Sequence, residues 1–331
     1  MTSSASPARR VLLVAHTGRL EAVSAAREML SRLVDLGLAV SILPEEAPEL
    51  GGGSGTAGFG AGVDVGVDVG VDVGRGLLDW DHPATARDSP ADGCELVVVM
   101  GGDGTILRGA ELVRGTQVPL LGVNLGHVGF LAESERENLA ETAKRIVERD
   151  YEVEERMTID VTVLVERQVV ARSWALNEAS VEKASSERML QLVIEVDGRP
   201  LSTVGCDGVI LATPTGSTAY ALSAGGPVVW PQVEALLLVP NAAHALFARP
   251  LVVAPTSRLA VEVLGEGPGT GVMWCDGRRR FELARGARVE ATRGAVPVRL
   301  ARLVGGPFTD RLVAKFRLPV HGWRGQGPAG S

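Results

Sequence analysis

Leu96-Val97-Val98-Val99-Met100-Gly101-Gly102-Asp103-Gly104-Thr105 is the stretch whose reading decides the fold of this chain. Its first five residues form an apolar run of the kind that becomes a buried parallel strand. The residues that follow, Ile106-Leu107-Arg108-Gly109-Ala110-Glu111-Leu112, have the apolar spacing of a helix start. Between strand and helix stand three glycines around one aspartate. Without Cβ atoms the backbone can approach a phosphate closely, and the helix N-terminus adds partial positive charge. Asp103 has three roles open to it in such a place: metal ligand, acceptor of a hydroxyl proton, or plain helix cap. The turn is neither a P-loop, which ends in Lys-Ser/Thr, nor the G-x-G-x-x-G of dinucleotide folds.

The same α/β rhythm extends outward from this turn. Val11–Ala15 reads as a strand, and Leu20–Leu36 as a helix with Leu20, Val23, Ala26, Leu30, Leu33 and Val34 on one face, stopped near Gly37. Leu38–Leu43 and Val118–Asn124 read as strands, and Glu133–Arg149 as a charged helix. Together they predict an α/β domain over residues 9–155. Residues 45–93 interrupt it with Gly, Ala and Asp, including three copies of Val-Asp-Val-Gly at Val63–Gly74. The period is wrong for a calcium-binding β-helix, and a flexible insertion is expected.

Beyond Tyr151 the pattern changes to period two. Thr158–Glu166, Gln168–Ala175, Leu190–Val196, Ser257–Leu264, Val272–Asp276, Phe281–Glu290 and Val296–Arg302 alternate apolar and polar residues between Gly/Pro/Asp turns. This predicts an all-β sandwich domain over residues 156–305. Residues 306–320 are expected to return to the first domain, and 321–331 to form a loose tail.

Composition narrows the function classes. A chain of 331 residues with 45% hydrophobic side chains can hold two well-buried cores. The net charge of −7 gives no global footprint for nucleic acid, although Arg278-Arg279-Arg280 is a local basic cluster. No apolar run approaches the roughly 20 residues of a membrane span, and the Ser/Ala/Arg start lacks a signal-peptide core. Three scattered cysteines suit reduced thiols, and the five histidines show no ligand spacing. A cytoplasmic protein without a resident metal site is expected.

Three further segments set small residues around a few polar ones. Gly122–Leu131 follows a strand and carries Phe130, which could pack on a ligand ring or in the core. Asn177-Glu178 ends a β-type run; the glutamate can accept from ribose hydroxyls and the asparagine can both donate and accept. Cys206–Pro227 opens as an apolar strand and becomes the run Thr213-Pro214-Thr215-Gly216-Ser217-Thr218-Ala219-Tyr220-Ala221-Leu222-Ser223, a turn rich in hydroxyls and backbone amides.

Gly101–Thr105, Asn177-Glu178 and Asp207–Pro227, in this order, resemble the NAD kinase family in its bacterial, actinobacterial-like form. The resemblance runs from Val11 to about Leu318 apart from the insertion. Gly-Gly-Asp-Gly-Thr alone is shared with lipid kinases and resembles the phosphofructokinase site, whereas the Thr-Pro-Thr-Gly-Ser-Thr-Ala-Tyr run is specific. The resemblance implies a nucleotide-binding α/β domain, a β-sandwich domain of the NAD kinase/diacylglycerol kinase type, and homodimers or homotetramers that share sites across subunits. It implies that Asp103 is catalytic, with Gly104 as the adjoining backbone contact and Arg108 reaching ligand phosphate. Asn177 and Glu178 match the pair that binds the dinucleotide, and Arg188 lies in the loop after it. Asp207, Thr215, Thr218, Ala219, Tyr220, Ala221, Leu222 and Ser223 match nicotinamide and adenosine contacts. Asp276-Gly277 matches a turn near the site, with Arg278 where the family has glutamine, and Gly205 stands where some members carry a basic side chain. Asn241-Ala242-Ala243-His244 also departs from the usual form.

The activity implied is transfer of the terminal phosphoryl group of ATP, or of inorganic polyphosphate, to the 2′-hydroxyl of the adenosine ribose of NAD. A divalent cation, Mg²⁺ above all, is expected on the donor phosphates, since no motif clusters carboxylates. Two rivals share part of the pattern. A diacylglycerol-type lipid kinase would lack the Asp207–Tyr220 run, and a silent dinucleotide sensor would have no use for Asp103.

Overall fold

The computed structural model describes residues 9–51, 63–65, 89–125, 129–132, 134–135, 138–184, 189–264, 270–303 and 307–320. They fall into two compact units, divided at Glu154/Glu155 and again at Val298/Arg299.

The first unit contains β1 (Arg10–Ala15), α1 (Leu20–Asp35), β2 (Ala39–Ile42), α2 (Ala47–Gly51), β3 (Val63–Val65), β4 (Leu96–Met100), α3 (Asp103–Val113), β5 (Leu120–Asn124), β6 (Ser134–Glu135), α4 (Leu139–Glu148) and β7 (Glu152–Arg156). The second contains β8 (Ile159–Val165), β9 (Gln168–Ala175), β10 (Glu178–Lys183), β11 (Leu190–Val196), β12 (Arg199–Cys206), β13 (Gly208–Ala212), α5 (Tyr220–Ser223), β14 (Leu236–Asn241), β15 (Leu251–Val253), β16 (Leu259–Val263), β17 (Gly271–Cys275), β18 (Arg279–Leu283) and β19 (Arg288–Arg293). The chain then returns through β20 (Val298–Arg302) and α6 (Phe308–Phe316).

The sheet of the first unit has the order β3-β2-β1-β4-β5-β20-β7, with β6 beside β5. β1 runs parallel to both β2 and β4, so the winding reverses between β1 and β4. Every residue of β4 and β5 is buried, as their apolar runs require. α1 covers the sheet with Ala22, Val23, Ala25, Ala26, Met29 and Leu33. Met29 and Leu33 are wholly enclosed, each contributing roughly 1.5–3 kcal/mol of apolar burial. Ala15 pairs with Met100, and the His16 amide donates to the Met100 carbonyl at 3.1 Å. The turns after β1 and β4 therefore open side by side, at the switch point where open α/β sheets bind ligands.

The second unit is two antiparallel sheets of order β15-β14-β13-β10-β17-β18 and β12-β11-β16-β19-β8-β9. Val181, Val209, Leu238 and Met273 of the first meet Val161, Leu192, Val261 and Val289 of the second in one core. This is the sandwich that the period-two pattern predicts.

Four boundaries differ from expectation. Glu45–Gly51 is ordered as a 3-10 turn and α2, with the Glu46 side chain buried, and Ala91 is buried as well. Val63–Val65 pairs in parallel with β2. The flexible insertion expected at 45–93 thus loses its flanks and this strand, and the remainder lies outside the described residues, as does the tail 321–331. The charged helix starts at Leu139 rather than Glu133, because its stripe of Leu139, Ala143 and Ile146 begins there. Phe281–Glu290 is two strands, parted by a turn at Ala284–Ala287 in which Gly286 has φ 74°. The return begins at Arg299 instead of residue 306: β20 pairs Leu300 with Leu120 in the α/β sheet. Alternation identifies a strand but says nothing of which sheet receives it.

Candidate functional site

Asp103 is the first residue of α3, and the cap position belongs to Gly102, in extended conformation and without a side-chain cap bond. The plain cap reading of Asp103 therefore falls. Its carboxylate reaches across to the loop after β5, where the Phe130 amide donates to Oδ2 at 3.3 Å and the Leu131 amide to Oδ1 at 3.2 Å. A Cβ on Gly129 would lie 2.5 Å from Oδ1, so only glycine lets this loop come so close. The loop is held from behind by the returning segment. Arg311 donates to the Phe130 carbonyl and Arg302 to the Leu131 carbonyl, both at 3.5 Å. Phe130 packs its ring against Phe308 and Phe316, with centroids 5.9 and 5.8 Å away, which places it in the core of this unit.

A cleft of about 120 Å³ opens beside Asp103. His16 and Arg19 from the turn after β1, Gly101 and Gly102 from the turn after β4, and Lys315 from α6 line it. Arg19 caps α1 in extended conformation without a side-chain cap bond, so two uncapped helix N-termini and three basic side chains surround one cavity. Glu21 also lines it, as an opposing charge. Arg108 is not part of this lining. Its guanidinium donates at 2.7 Å to Glu46 Oε1 and at 2.7 Å to Glu45 Oε1. Glu46 also accepts from the Ala15 amide at 2.9 Å. Burial pushes its carboxyl up to about 7 against the pull of that amide and of Arg108.

In the second unit the Asn177-Glu178 pair sits where β9 passes into β10. Glu178, Ser180 and Glu182 alternate along one face of β10, while Ala179 and Val181 enter the sandwich core on the other. The Glu178 carboxyl receives the Tyr220 amide, yet Oε2 is buried without a partner. Burial pushes this group up to about 8, the nearby charges of Asp276 and Glu182 adding to the effect. A buried oxygen left open in this way is a place for a ligand's hydrogen bond.

The hydroxyl-rich run folds as a 3-10 turn, Thr215–Thr218, followed by α5. Thr215 is buried, and the Thr218 hydroxyl bonds back to the Thr215 carbonyl at 3.3 Å. Ala221 is enclosed with Ile210, Ala212, Leu237 and Val239, whereas Ala219, Tyr220 and Leu222 are half-buried and Ser223 is exposed. The Tyr220 hydroxyl accepts from Asn241 Nδ2 at 3.2 Å. Asn241 stands opposite Gly208, next to Asp207, so Tyr220 spans β10, its amide at Glu178 and its hydroxyl at the Glu182 end. Asp207 lies at the far end of β10, pairing with Lys183 Nζ at 2.6 Å. The strand rise puts it roughly 15 Å from the Asn177-Glu178 backbone. Arg188 lies outside the described residues, and Gly104 is exposed with open space where a Cβ would go. The three cysteines are all buried, and burial pushes the Cys206 and Cys275 thiols up to about 11, so these two are poor nucleophiles.

Sequence reasoning missed His16, Arg19, Lys315, Ser180 and Glu182, and it named Asp276 only as part of a turn near the site. The period-two rule carries Ser180 and Glu182 once Glu178 is chosen. His16 and Arg19 share the turn after β1, and only the fold brings Lys315 of α6 to them.

Residues 11–151 match the model of the ATP-NAD kinase N-terminal domain and residues 176–303 that of the ATP-NAD kinase C-terminal domain. The chain belongs to the NAD kinase family. "NAD kinase 2" of Streptomyces coelicolor is 56% identical over 96% of this chain and 97% of its own length. The NAD kinase of Thermobifida fusca is 56% identical over 96% and 92%. Among solved structures, an Archaeoglobus fulgidus NAD kinase in complex with ATP superposes with a TM-score of 0.63 at 25% identity, covering 93% of this chain and 98% of that one. A yeast NADH kinase complexed with NADH gives 0.75 at 23% identity over 95% and 88%, a likeness of fold. As an NAD kinase, the chain is a phosphotransferase that moves the terminal phosphoryl group of ATP to the 2′-hydroxyl of the adenosine ribose of NAD, and the lipid-kinase and silent-sensor readings are set aside.

Proposed function

We propose that Asp103 is the base of this reaction. The ribose 2′-hydroxyl of NAD attacks the terminal phosphorus of ATP, its proton passes to the Asp103 carboxylate, and the bond between that phosphorus and the bridging oxygen breaks to release ADP and NADP. The observation that carries this reading is the carboxylate itself, fixed by two amides and standing on the wall of a cleft that Arg19, Lys315 and the α3 N-terminus also line. The donor phosphates lie against Gly101–Gly104 and the α3 N-terminus, with Arg19 and Lys315 offsetting their charge. Arg108 reaches phosphate only by leaving Glu45, the exposed member of its two partners. Asn177, Glu178, Asp207, Arg188 and the Thr215–Ser223 run hold the dinucleotide, the open Glu178 oxygen supporting that assignment.

Among the described residues no group of three or more His, Cys, Asp or Glu could hold a metal ion. A divalent cation such as Mg²⁺ is assigned to the donor, whose phosphates and water would hold it and where it would add further neutralisation of charge. The three buried thiols support a reducing, cytoplasmic setting. No helix among the described residues is long and apolar enough to cross a membrane. Self-association as a homodimer or homotetramer is supported by exposed Leu246, Phe247, Trp230 and Val252 on the second unit, and sedimentation tests it.

The deciding assay supplies NAD with ATP or polyphosphate and follows NADP. Formation of NADP that depends on both substrates is expected. Phosphorylation of diacylglycerol without NADP formation would overturn the reading.

A further inference from the structure

The backbone of Leu176, Asn177 and Glu178 offers six hydrogen-bonding groups at a point where the chain leaves one strand and enters another. All six go to two residues. The Asp276 carboxylate accepts the three amides, Leu176 on Oδ2 at 3.0 Å and Asn177 and Glu178 on Oδ1 at 2.7 and 3.4 Å. The Asp276 amide donates back to the Glu178 carbonyl at 2.9 Å. The Thr213 hydroxyl donates to the Leu176 carbonyl at 2.6 Å, and the Thr213 amide to the Asn177 carbonyl at 2.9 Å. A Cβ on Gly216 would overlap the Asn177 carbonyl oxygen, which closes the cage from the third side. Asp276 is fixed in turn by Arg279, at 2.8 Å with both side chains nearly inaccessible, and that guanidinium lies 4.5 Å over the Trp174 ring. Asp276 and Gly277 both have positive φ, 54° and 64°, the mirror-image turn between β17 and β18 that aims the carboxylate inward.

We infer that Asp276 and Thr213 are positioning residues for the acceptor subsite, shaping Leu176–Glu178 so that the Asn177 side chain and the open Glu178 oxygen meet the dinucleotide in one geometry. The inference rests on the assignment of Asn177 and Glu178 to NAD. It explains why so much buried polar structure is gathered where the chain crosses from one sheet of the sandwich to the other. A half-satisfied cage is costly, so the arrangement is rigid as long as both residues are present.

The experiment compares Asp276→Asn, Thr213→Val and Thr213→Ser in the full chain. Asp276→Asn should raise the Kd of NAD at least about tenfold, as loss of a charge-assisted bond implies, while the KM of ATP stays within about twofold. Thr213→Val should raise the NAD Kd about fivefold, and Thr213→Ser, which keeps the hydroxyl, should restore it. The pH profile of NAD binding supplies a readout that mere loosening would not move. Around Glu178 stand Asp276, Glu182, Tyr220, Cys275 and Arg279; removing the Asp276 charge should carry the profile's midpoint to lower pH. Hydrogen exchange across Ala175–Ala179 should quicken in Asp276→Asn, and Asp276→Asn/Arg279→Met, which removes both buried charges, serves if the single variant does not fold. A folded variant with wild-type NAD affinity and exchange overturns the inference, as does an equal rise in both KM values. Should the wild-type chain bind no NAD, the acceptor assignment fails, and the exchange rates alone decide whether Asp276 holds this backbone.

Discussion

Each unit uses one aspartate to gather the amides of a neighbouring loop: Asp103 takes those of Phe130 and Leu131, Asp276 those of Leu176, Asn177 and Glu178. The two carboxylates differ in what is left over. Asp276 is enclosed and neutralised by Arg279, so every lone pair is committed to structure. Asp103 is half-buried on a cleft wall, its two amide bonds are long, and among the described residues it has no ion pair. A carboxylate held by amides becomes an anchor when a cation completes it, and stays available for chemistry when one side faces a cavity.

The sharpest way to break this comparison is to replace each aspartate by asparagine. Asp103→Asn keeps size and one acceptor but removes the base and leaves one loop amide without its acceptor, so NADP formation should fall roughly 10²–10⁴-fold with a stability loss of about 1–3 kcal/mol. Asp276→Asn leaves Arg279 buried without its counter-charge and should cost about 3–5 kcal/mol in denaturant unfolding. A folded Asp103→Asn variant with near-normal turnover, or an equal loss of stability in both variants, would undo the contrast.

A second test uses pH. Glu46 and Glu178 are held protonated in the folded chain up to about 7 and about 8, against an ordinary value of 4.5. The native state therefore binds more protons than the unfolded chain between pH 4.5 and those values, and stability falls as pH rises through that window. The effect at Glu178 is on the order of 3 kcal/mol. Melting should be higher near pH 5 than near pH 8, and Glu178→Gln should flatten the part of the slope that belongs to the second unit. A Glu178→Gln variant with an unchanged slope would show that Glu178 ionises freely.

Asp207→Ala probes the far end of β10. Loss of one charge-assisted contact should weaken NAD by roughly 1.5–3 kcal/mol in binding and leave the KM of ATP in place. A rise in the ATP value alone would reverse the donor and acceptor assignments. The smallest effect is expected from replacing residues 66–88 by a short Gly/Ser linker. Glu46, which does touch Arg108, lies outside that stretch, and loop closure depends weakly on length, so turnover should stay within a few-fold. Complete loss of activity in a folded variant would tie the stretch to the site.

What the sequence determined by itself is local. The apolar run Leu96–Met100 followed by Gly-Gly-Asp-Gly-Thr fixed a strand, a turn and a helix, because a buried parallel strand and a helix start each have a composition of their own. The alternation after Tyr151 fixed short antiparallel strands, and the hydroxyl-rich run marked a polar turn. Tertiary structure alone decided the rest. It sent β20 to the α/β sheet, since period two encodes a buried face but not a partner. It brought Lys315 to the cleft of His16 and Arg19 from almost 300 residues further along the chain. It gave Asp103 and Asp276 opposite environments, because burial and the nearness of a cation depend on what packs around a carboxylate, and a residue's own neighbours in sequence do not specify that.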